Sequence, residues 1–279
     1  MRFDAETLGL PRGASALLRD LIHERTGLYY PDERCDQMLE RLAGLVIDRG
    51  FASYLDYYYL LKYDEAGASE WGRVMDVLST PETYFWREVD QIRALVDHVV
   101  PAFATSHGGE TLRIWSVPCA SGEEPLSIAM ALHQACWFER LPIVIEASDA
   151  SPAAIARAHA GSYQERAFRN LPAELRERYF TQNGAGWSIA PALQARIRWS
   201  IANLAVDDDV RAHAGTSVVF CRNLFIYFSE RAIKRVVDML AGSMPSGGWL
   251  FVGASESLLK VTSEFELTEI GGAFVYVKR

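Results

Sequence analysis

From Thr111 onward the chain alternates short apolar runs with helical stripes, and that alternation restricts its fold more than any other feature. Thr111–Val117 (TLRIWSV), Pro142–Ser148 (PIVIEAS), Thr216–Cys221 (TSVVFC) and Gly248–Gly253 (GWLFVG) read as strands bounded by turn residues. Helical stripes run from Glu123 to about Trp137, from Pro152 to His159 and from Glu230 to about Ala241. Strands that alternate with helices imply crossover connections and a largely parallel sheet. Two closing runs, Glu266–Ile270 and Ala273–Val277, flank Gly271-Gly272 and read as a hairpin adding an antiparallel edge. The predicted class is α/β.

The region before this pattern is different. Residues 1–78 read as a small all-helical N-terminal domain, with apolar stripes over Ser15–Thr26 and Cys35–Ile47 and shorter helices over Tyr54–Tyr63 and Trp71–Leu78. Gly27 and Gly50 stand where helices stop. Residues 79–279 form the second domain. About 55 residues interrupt its alternation before Thr216, with a helical piece at Pro172–Phe180, a turn at Asn183–Gly186, and strand-like runs at Trp187–Ala190 and Arg196–Ile201. An insert over about 161–202, a small helix and β-hairpin subdomain, is the expectation. Its Trp187, Arg196, Arg198 and Trp199 either form a binding surface or pack the hairpin.

Composition narrows the function. A formal net charge of −8 disfavours a nucleic-acid partner, which needs clustered Lys and Arg. The four cysteines, Cys35, Cys119, Cys136 and Cys221, make no C-x-x-C pair, so reduced thiols are expected rather than a disulfide framework or a metal site. No signal peptide or membrane-spanning run is apparent, and a cytoplasmic monomer is expected.

Four segments carry chemistry. In Trp115–Pro125 (WSVPCASGEEP) a strand turns into a helix, the place where open α/β sheets bind ligands. Gly122 alone cannot make the G-x-G-x-x-G fingerprint, which counts against a nicotinamide-dependent oxidoreductase. Glu123 and Glu124 would repel a pyrophosphate and suit a cationic, phosphate-free ligand such as S-adenosylmethionine; alternatively they only favour the helix dipole. Asp149 ends the second strand, where an acid either accepts from ribose hydroxyls or caps the next helix. The polar pair Arg222-Asn223 interrupts Val218–Phe228 (VVFCRNLFIYF) and must find partners, as must Asn203 beside Leu204. Thr80–Glu88 (TPETYFWRE) joins the domains with three consecutive aromatics and Arg87.

In this order the segments resemble the CheR family of chemotaxis-receptor glutamate O-methyltransferases. The resemblance runs from about Thr80 to Arg279 through the Thr80–Glu88 stretch, W-S-x-x-C-A-S-G-E-E-P, Asp149, Phe168–Leu171, Asn203-Leu204, F-C-R-N-x-x-I-Y-F and Gly253–Glu256, with a looser helical match before it. It implies a Rossmann-like S-adenosylmethionine-dependent methyltransferase sheet with an inserted β-subdomain. It also implies methyl transfer to glutamate side chains of a methyl-accepting chemoreceptor's cytoplasmic domain, with a receptor tail peptide as a further partner of the β-subdomain. No nucleic-acid partner and no direct membrane insertion are expected. By motif position Thr83 and Arg87 face the cofactor, Glu123 takes its amino group and Asp149 holds its ribose. Asn203, Leu204, Asn223 and Leu224 surround the adenine and methionine portions. Arg87 and Tyr227 are candidates for orienting the substrate, and no general base is expected. The sequence departs from the family at Pro81, where Asn is frequent, and at Ala254, where His is frequent. Residues 1–70 also hold 8 Lys and Arg against 13 Asp and Glu, although Arg34, Arg41 and Arg49 are spaced to share one face. A signalling scaffold that binds the cofactor without turnover is the alternative.

Overall fold

The computed structural model describes residues 12–80 and 82–279; Pro81 lies outside them. Four helices form the N-terminal domain: α1 (Arg12–Thr26), α2 (Cys35–Asp48), α3 (Tyr54–Tyr63) and α4 (Gly67–Leu78). They bury Leu18 and Ile22, Met38 and Leu42, Tyr54 and Tyr57, and Val74 and Leu78, respectively. Gly27 and Gly50 adopt φ of +77° and +74° just after α1 and α2, the left-handed conformation that lets a chain leave a helix. A helical segment unannounced by periodicity follows, α5 (Val89–Ala94) and α6 (Val100–Ser106). A wide π turn at Leu95–Val99 joins them ahead of Pro101, whose missing N–H cannot close an ordinary helical bond.

The remaining elements are β1 (Leu112–Ser116), α7 (Glu123–Gln134), β2 (Ile143–Asp149), α8 (Pro152–Ala160), β3 (Ser162–Tyr163), α9 (Ala173–Tyr179), β4 (Phe180–Asn183), β5 (Gly186–Ile189), α10 (Pro191–Gln194), β6 (Ile197–Ile201), α11 (Asp207–Arg211), β7 (Val218–Cys221), α12 (Glu230–Ser243), β8 (Trp249–Val252), β9 (Phe265–Ile270) and β10 (Ala273–Lys278). The main sheet runs β6-β2-β1-β7-β8-β10-β9. Its first five strands are parallel, and β10 and β9 close it as the expected antiparallel hairpin. The order reverses between β1 and β7, which opens a crevice at their carboxyl ends.

The insert differs from expectation in one respect. Arg196–Ile201 does not pair with Trp187–Ala190; β6 leaves the insert and joins the main sheet, parallel to β2 from Ile145↔Ile197 to Asp149↔Ile201. The inserted sheet is instead β3-β5-β4, where Gln182 and Asn183 pair with Trp187 and Gly186. The polar β4 has too little apolar alternation to be read as a strand. Trp187 packs against Arg176, Arg196 stacks on Phe138 and Trp199 lies beside His159, so these three pack the structure, whereas Arg198 is exposed.

The core has two parts, one on each side of the sheet. On one side Val219, Cys221, Leu250 and Val252 are continuous with the buried residues of α1–α4 and α12. On the other, Val218, Phe220 and Phe251 pack with α5, α7 and the aromatic side chains of the insert. All four residues of β7 are buried, which is why it reads as an unbroken apolar run.

Candidate functional site

A cleft of about 270 Å³ opens where the carboxyl ends of β1, β2, β6 and β7 face the N-terminal helices. Its wall includes Thr83, Arg87, Asp149, Asn203, Leu204, Asn223, Leu224 and Tyr227. All of these were singled out from sequence. Glu124 lines the cleft, whereas Glu123 is buried at the start of α7 and takes the Ser121 hydroxyl on both oxygens, at 3.0 and 2.8 Å.

The turn after β1 brings backbone to this cleft. Ala120 and Gly122 both have positive φ, and a Cβ on Gly122 would lie 2.8 Å from Trp199 Cη2. Glycine is therefore required there on two grounds, conformation and space. Asp149 stabilises the turn by accepting the Ala120 amide at 2.9 Å on one oxygen and the Ser151 amide at 2.9 Å on the other. The cap of α8 is Ser151, whose hydroxyl accepts from Ala154 N, so the capping alternative for Asp149 does not hold. Burial pushes the carboxyls of Glu123, Glu124 and Asp149 upward; hydrogen bonds from Ser121, the Arg222 charge and the Ser151 and Ala120 amides, respectively, oppose that rise. The donor set fits S-adenosylmethionine. Carboxylates stand on the cleft wall, the sheet-end turn is open to backbone contact, and no glycine series is present to cradle phosphates.

The two asparagines are committed to the protein. Asn203 donates from Nδ2 to the Arg25 carbonyl at the end of α1, at 2.8 Å, and its Oδ1 accepts from Ala205 N at 2.9 Å. It ties the N-terminal domain to the sheet with one N–H and one lone pair of its amide. Asn223 has φ +58°, its main-chain N–H donates to Glu256 Oε2 at 2.8 Å, and its side-chain Nδ2 meets Glu88 Oε1 at 3.5 Å. Glu256 also accepts from Phe225, Ile226 and Gly253, clamping the loop after β7. The Gly253–Glu256 motif flagged this residue without revealing that role.

Arg222 finds its partners within the protein. Its guanidinium meets Glu124 Oε2 at 2.9 Å, Glu88 Oε2 at 3.1 Å and the Arg87 carbonyl at 2.9 Å. Glu88 was missed from sequence because nothing in a lone acid after Arg87 marks a partner 134 residues away. Asp76 was missed too. From α4 it accepts the Ser151 hydroxyl and the Ala153 amide, reaching the start of α8 from the other domain. Leu28 bridges Phe228, and His23 meets the Ser229 hydroxyl at 2.8 Å, so the domains are pinned at several points around the cleft. Of the three arginines spaced to share a face, Arg34 and Arg41 line the cleft. Arg49 does not; it is held by buried Glu70 inside the N-terminal domain, 3.0 Å from Nε to Oε2.

Comparison with known proteins agrees with this architecture. The profile described as "CheR methyltransferase, SAM binding domain" matches residues 81–273, and "CheR methyltransferase, all-alpha domain" matches residues 15–79. The chain is 31% identical to "Chemotaxis protein methyltransferase 2" of Vibrio cholerae, covering 93% of this chain and 91% of that one. It is 30% identical to "Chemotaxis protein methyltransferase 1" of Pseudomonas aeruginosa, covering 93% and 96%. It is also 32% identical to "Probable biofilm formation methyltransferase WspC" of that organism, covering 74% of this chain and 48% of the relative. No helix among the described residues is long and apolar enough to cross a membrane.

Proposed function

The chain belongs to the CheR methyltransferase family, a methyltransferase using S-adenosylmethionine, and from that premise we propose that it methylates glutamate side chains on the cytoplasmic domain of a methyl-accepting chemoreceptor. The observation that carries the choice of acceptor is the charge layout of the cleft. Carboxylates of Glu124 and Asp149 stand at the sheet ends, while Arg34, Arg41 and Arg87 reach the same cleft from α2's approach and the interdomain linker. The acidic part suits a cationic donor molecule and the basic part an anionic acceptor. Bound there, S-adenosylmethionine would supply an electrophilic methyl group on a sulfonium.

The residues then have separable tasks. At the acidic start of α7, Glu124 on the cleft wall faces the ammonium end while buried Glu123 supports the turn through Ser121, and Asp149 faces the ribose. Leu204 and Leu224 cover the flat apolar parts. Thr83 and Arg87 approach from the linker, where Arg87 orients the incoming carboxylate, and Tyr227 lines its path. A glutamate with a reference pKa near ~4.3 is already anionic at neutral pH, so no general base is required. Opposite charges fade as the methyl moves, and a cleft shielded by two domains favours that change by excluding water. Holding the reactants in line is the main contribution, since well-oriented systems reach effective molarities of about 10⁵ M or more. The protein acts in the cytoplasm on this reading.

The test is transfer of a labelled methyl group to a receptor's cytoplasmic fragment. Label that is released as methanol by base identifies a carboxyl ester. Cofactor binding without base-labile label on any glutamate would favour a signalling scaffold that lacks turnover.

A further inference from the structure

The linker beside the cleft is held in an unusual backbone conformation. Trp86 has φ +66° and Glu88 has φ +51°, on either side of Arg87. A non-glycine residue in the left-handed region costs on the order of 1–2 kcal/mol, more so for a bulky one, and persists only where neighbours over-determine it. The neighbours here are identifiable. Phe85 is fully buried among Tyr163, Phe168 and Phe180, and its amide donates to the Ala167 carbonyl at 2.9 Å. The Trp86 amide donates to Ser127 Oγ at 3.1 Å. Glu88 Oε2 accepts the Ala254 amide at 3.1 Å. Arg222, with a side chain 2% exposed, closes the arrangement on the Arg87 carbonyl, the Glu88 carboxylate and Glu124.

We propose that Arg222 and Glu88 are positioning residues, which hold the strained Trp86–Glu88 turn so that the Arg87 guanidinium is presented to the acceptor carboxylate. The arrangement explains why a buried arginine donates to a main-chain carbonyl of the very residue whose side chain lines the cleft. It also explains why both left-handed residues flank Arg87 rather than lie elsewhere in the linker. The Arg87 side chain donates from Nη1 to the Glu82 carbonyl at 2.7 Å and lies over the Tyr84 ring, 5.6 Å from its centroid; both contacts come from the same linker, so its direction depends on the linker backbone. A two-pronged guanidinium is needed, because a lysine at 222 keeps the charge but cannot span two carboxylates and a carbonyl.

The proposal rests on the carboxyl-methylation reading, and the experiment separates the two. Arg222→Lys, Glu88→Gln, Arg87→Ala and the Arg222→Lys/Arg87→Ala pair are compared in the full chain. Methylation of the receptor fragment, S-adenosylhomocysteine affinity and amide hydrogen exchange are measured on each. Misplacement by about 1 Å costs roughly 100-fold in rate. Arg222→Lys and Glu88→Gln are therefore expected to lower kcat/KM for the receptor by about that factor, and Glu88→Gln, which keeps the Arg222–Glu124 pair, to leave product affinity within about threefold. On the Arg87→Ala background, Arg222→Lys should add no further loss. Amides of residues 84–91 should exchange at least about tenfold faster in Arg222→Lys, while β7 and α7 keep their protection. Additive losses in the double variant, or a collapse of product affinity in Glu88→Gln, overturn the positioning role. Glu88→Gln guards against Arg222→Lys failing to fold. If the wild-type chain transfers no methyl group to the receptor, the acceptor reading fails. Hydrogen exchange still decides the clasp, because unchanged exchange at 84–91 in both variants overturns it.

Discussion

Asp149 gives the sharpest test of the cofactor cleft, because two roles can be separated by two substitutions. In the folded chain its carboxylate accepts the Ala120 amide and the Ser151 amide, each at 2.9 Å, at a residue only 7% exposed. Asp149→Ala leaves both donors without that partner. At about 1–3 kcal/mol for each buried unsatisfied group, the loss is about 2–6 kcal/mol, enough to unfold a marginal domain. Asp149→Asn is milder. Its carbonyl oxygen can retain one amide while its NH₂ opposes the other, so about 1–3 kcal/mol is expected. The turn at Ala120 and Gly122 would loosen, and any hydrogen bonds from the ribose would be lost with it. Urea titration followed by calorimetric titration with S-adenosylhomocysteine reads both effects on one protein. We expect Asp149→Asn to remain folded and to bind at least about tenfold more weakly, since one lost hydrogen bond to a charged group is worth roughly 1.5–3 kcal/mol. Wild-type affinity in a folded Asp149→Asn protein would refute the ribose placement. Unchanged stability in Asp149→Ala would refute the accounting of the two amides.

Three further outcomes follow from named contacts. Glu70 is fully buried and accepts from Arg49, Arg73 and the Tyr57 hydroxyl; burial pushes its carboxyl up, but the hydrogen bonds from Arg49 and Tyr57 and the arginine charges outweigh it and hold the carboxyl below its ordinary value. A depressed folded-state pKa contributes stability above the unfolded value of about 4.3 that is lost as pH falls through the folded one. Thermal melts of Glu70→Gln should therefore show lower stability at neutral pH and a shallower fall below about pH 4.3 than wild type; parallel curves would contradict this. Asp76→Ala removes acceptors for the Ser151 hydroxyl and the Ala153 amide at the start of α8, a loss of about 0.5–2 kcal/mol by analogy with helix capping. It should speed limited proteolysis between the domains, and an unchanged cleavage rate would count against an interdomain contact there. Arg34→Ala should raise KM for the receptor fragment and weaken its salt dependence, with product affinity retained; the opposite split, product affinity lost and receptor KM kept, would move Arg34 to the cofactor side.

What could be read in advance divides by the range of the interaction. Helices α1–α3 and strands β1, β2, β7 and β8 were legible because apolar periodicity and local glycines specify them. Strand β6 was read as part of a hairpin because Arg196–Ile201 looks the same from its own residues whether it pairs with Trp187 or with Ile145. The partner was a matter of topology, and sequence distance favoured the wrong one. The same limit applied in the cleft. Asp149, Asn203 and Asn223 stood out as polar residues at the ends of apolar runs, and the structure brings all three to one wall. Their hydrogen bonds could not be read, because the partners Arg25, Ala120 and Glu256 come from distant segments or from a turn whose shape is set elsewhere. Arg49 shows the reverse error. Helical spacing placed it with Arg34 and Arg41, but Glu70 from α4 holds it within the helical domain.

The helical domain is better regarded as half of the cleft than as a separate receptor adaptor. Its Arg25 carbonyl satisfies Asn203, its Leu28 bridges Phe228, and its Asp76 reaches the start of α8. Its core is continuous with one side of the sheet. On the proposed acceptor reading, a receptor segment that reached Arg34 and Arg41 would therefore already touch the lining of the cleft. The chain carries a net charge of −8, so those arginines stand against an acidic background. In such a field a few cations beside a cleft act by local contact and short-range steering rather than by overall attraction, with a range near 8 Å at physiological salt. On the proposed acceptor reading, this is how a helical domain with more acids than bases would still receive an anionic glutamate side chain. The charges that matter are the few at the cleft mouth, and the domain total does not report them.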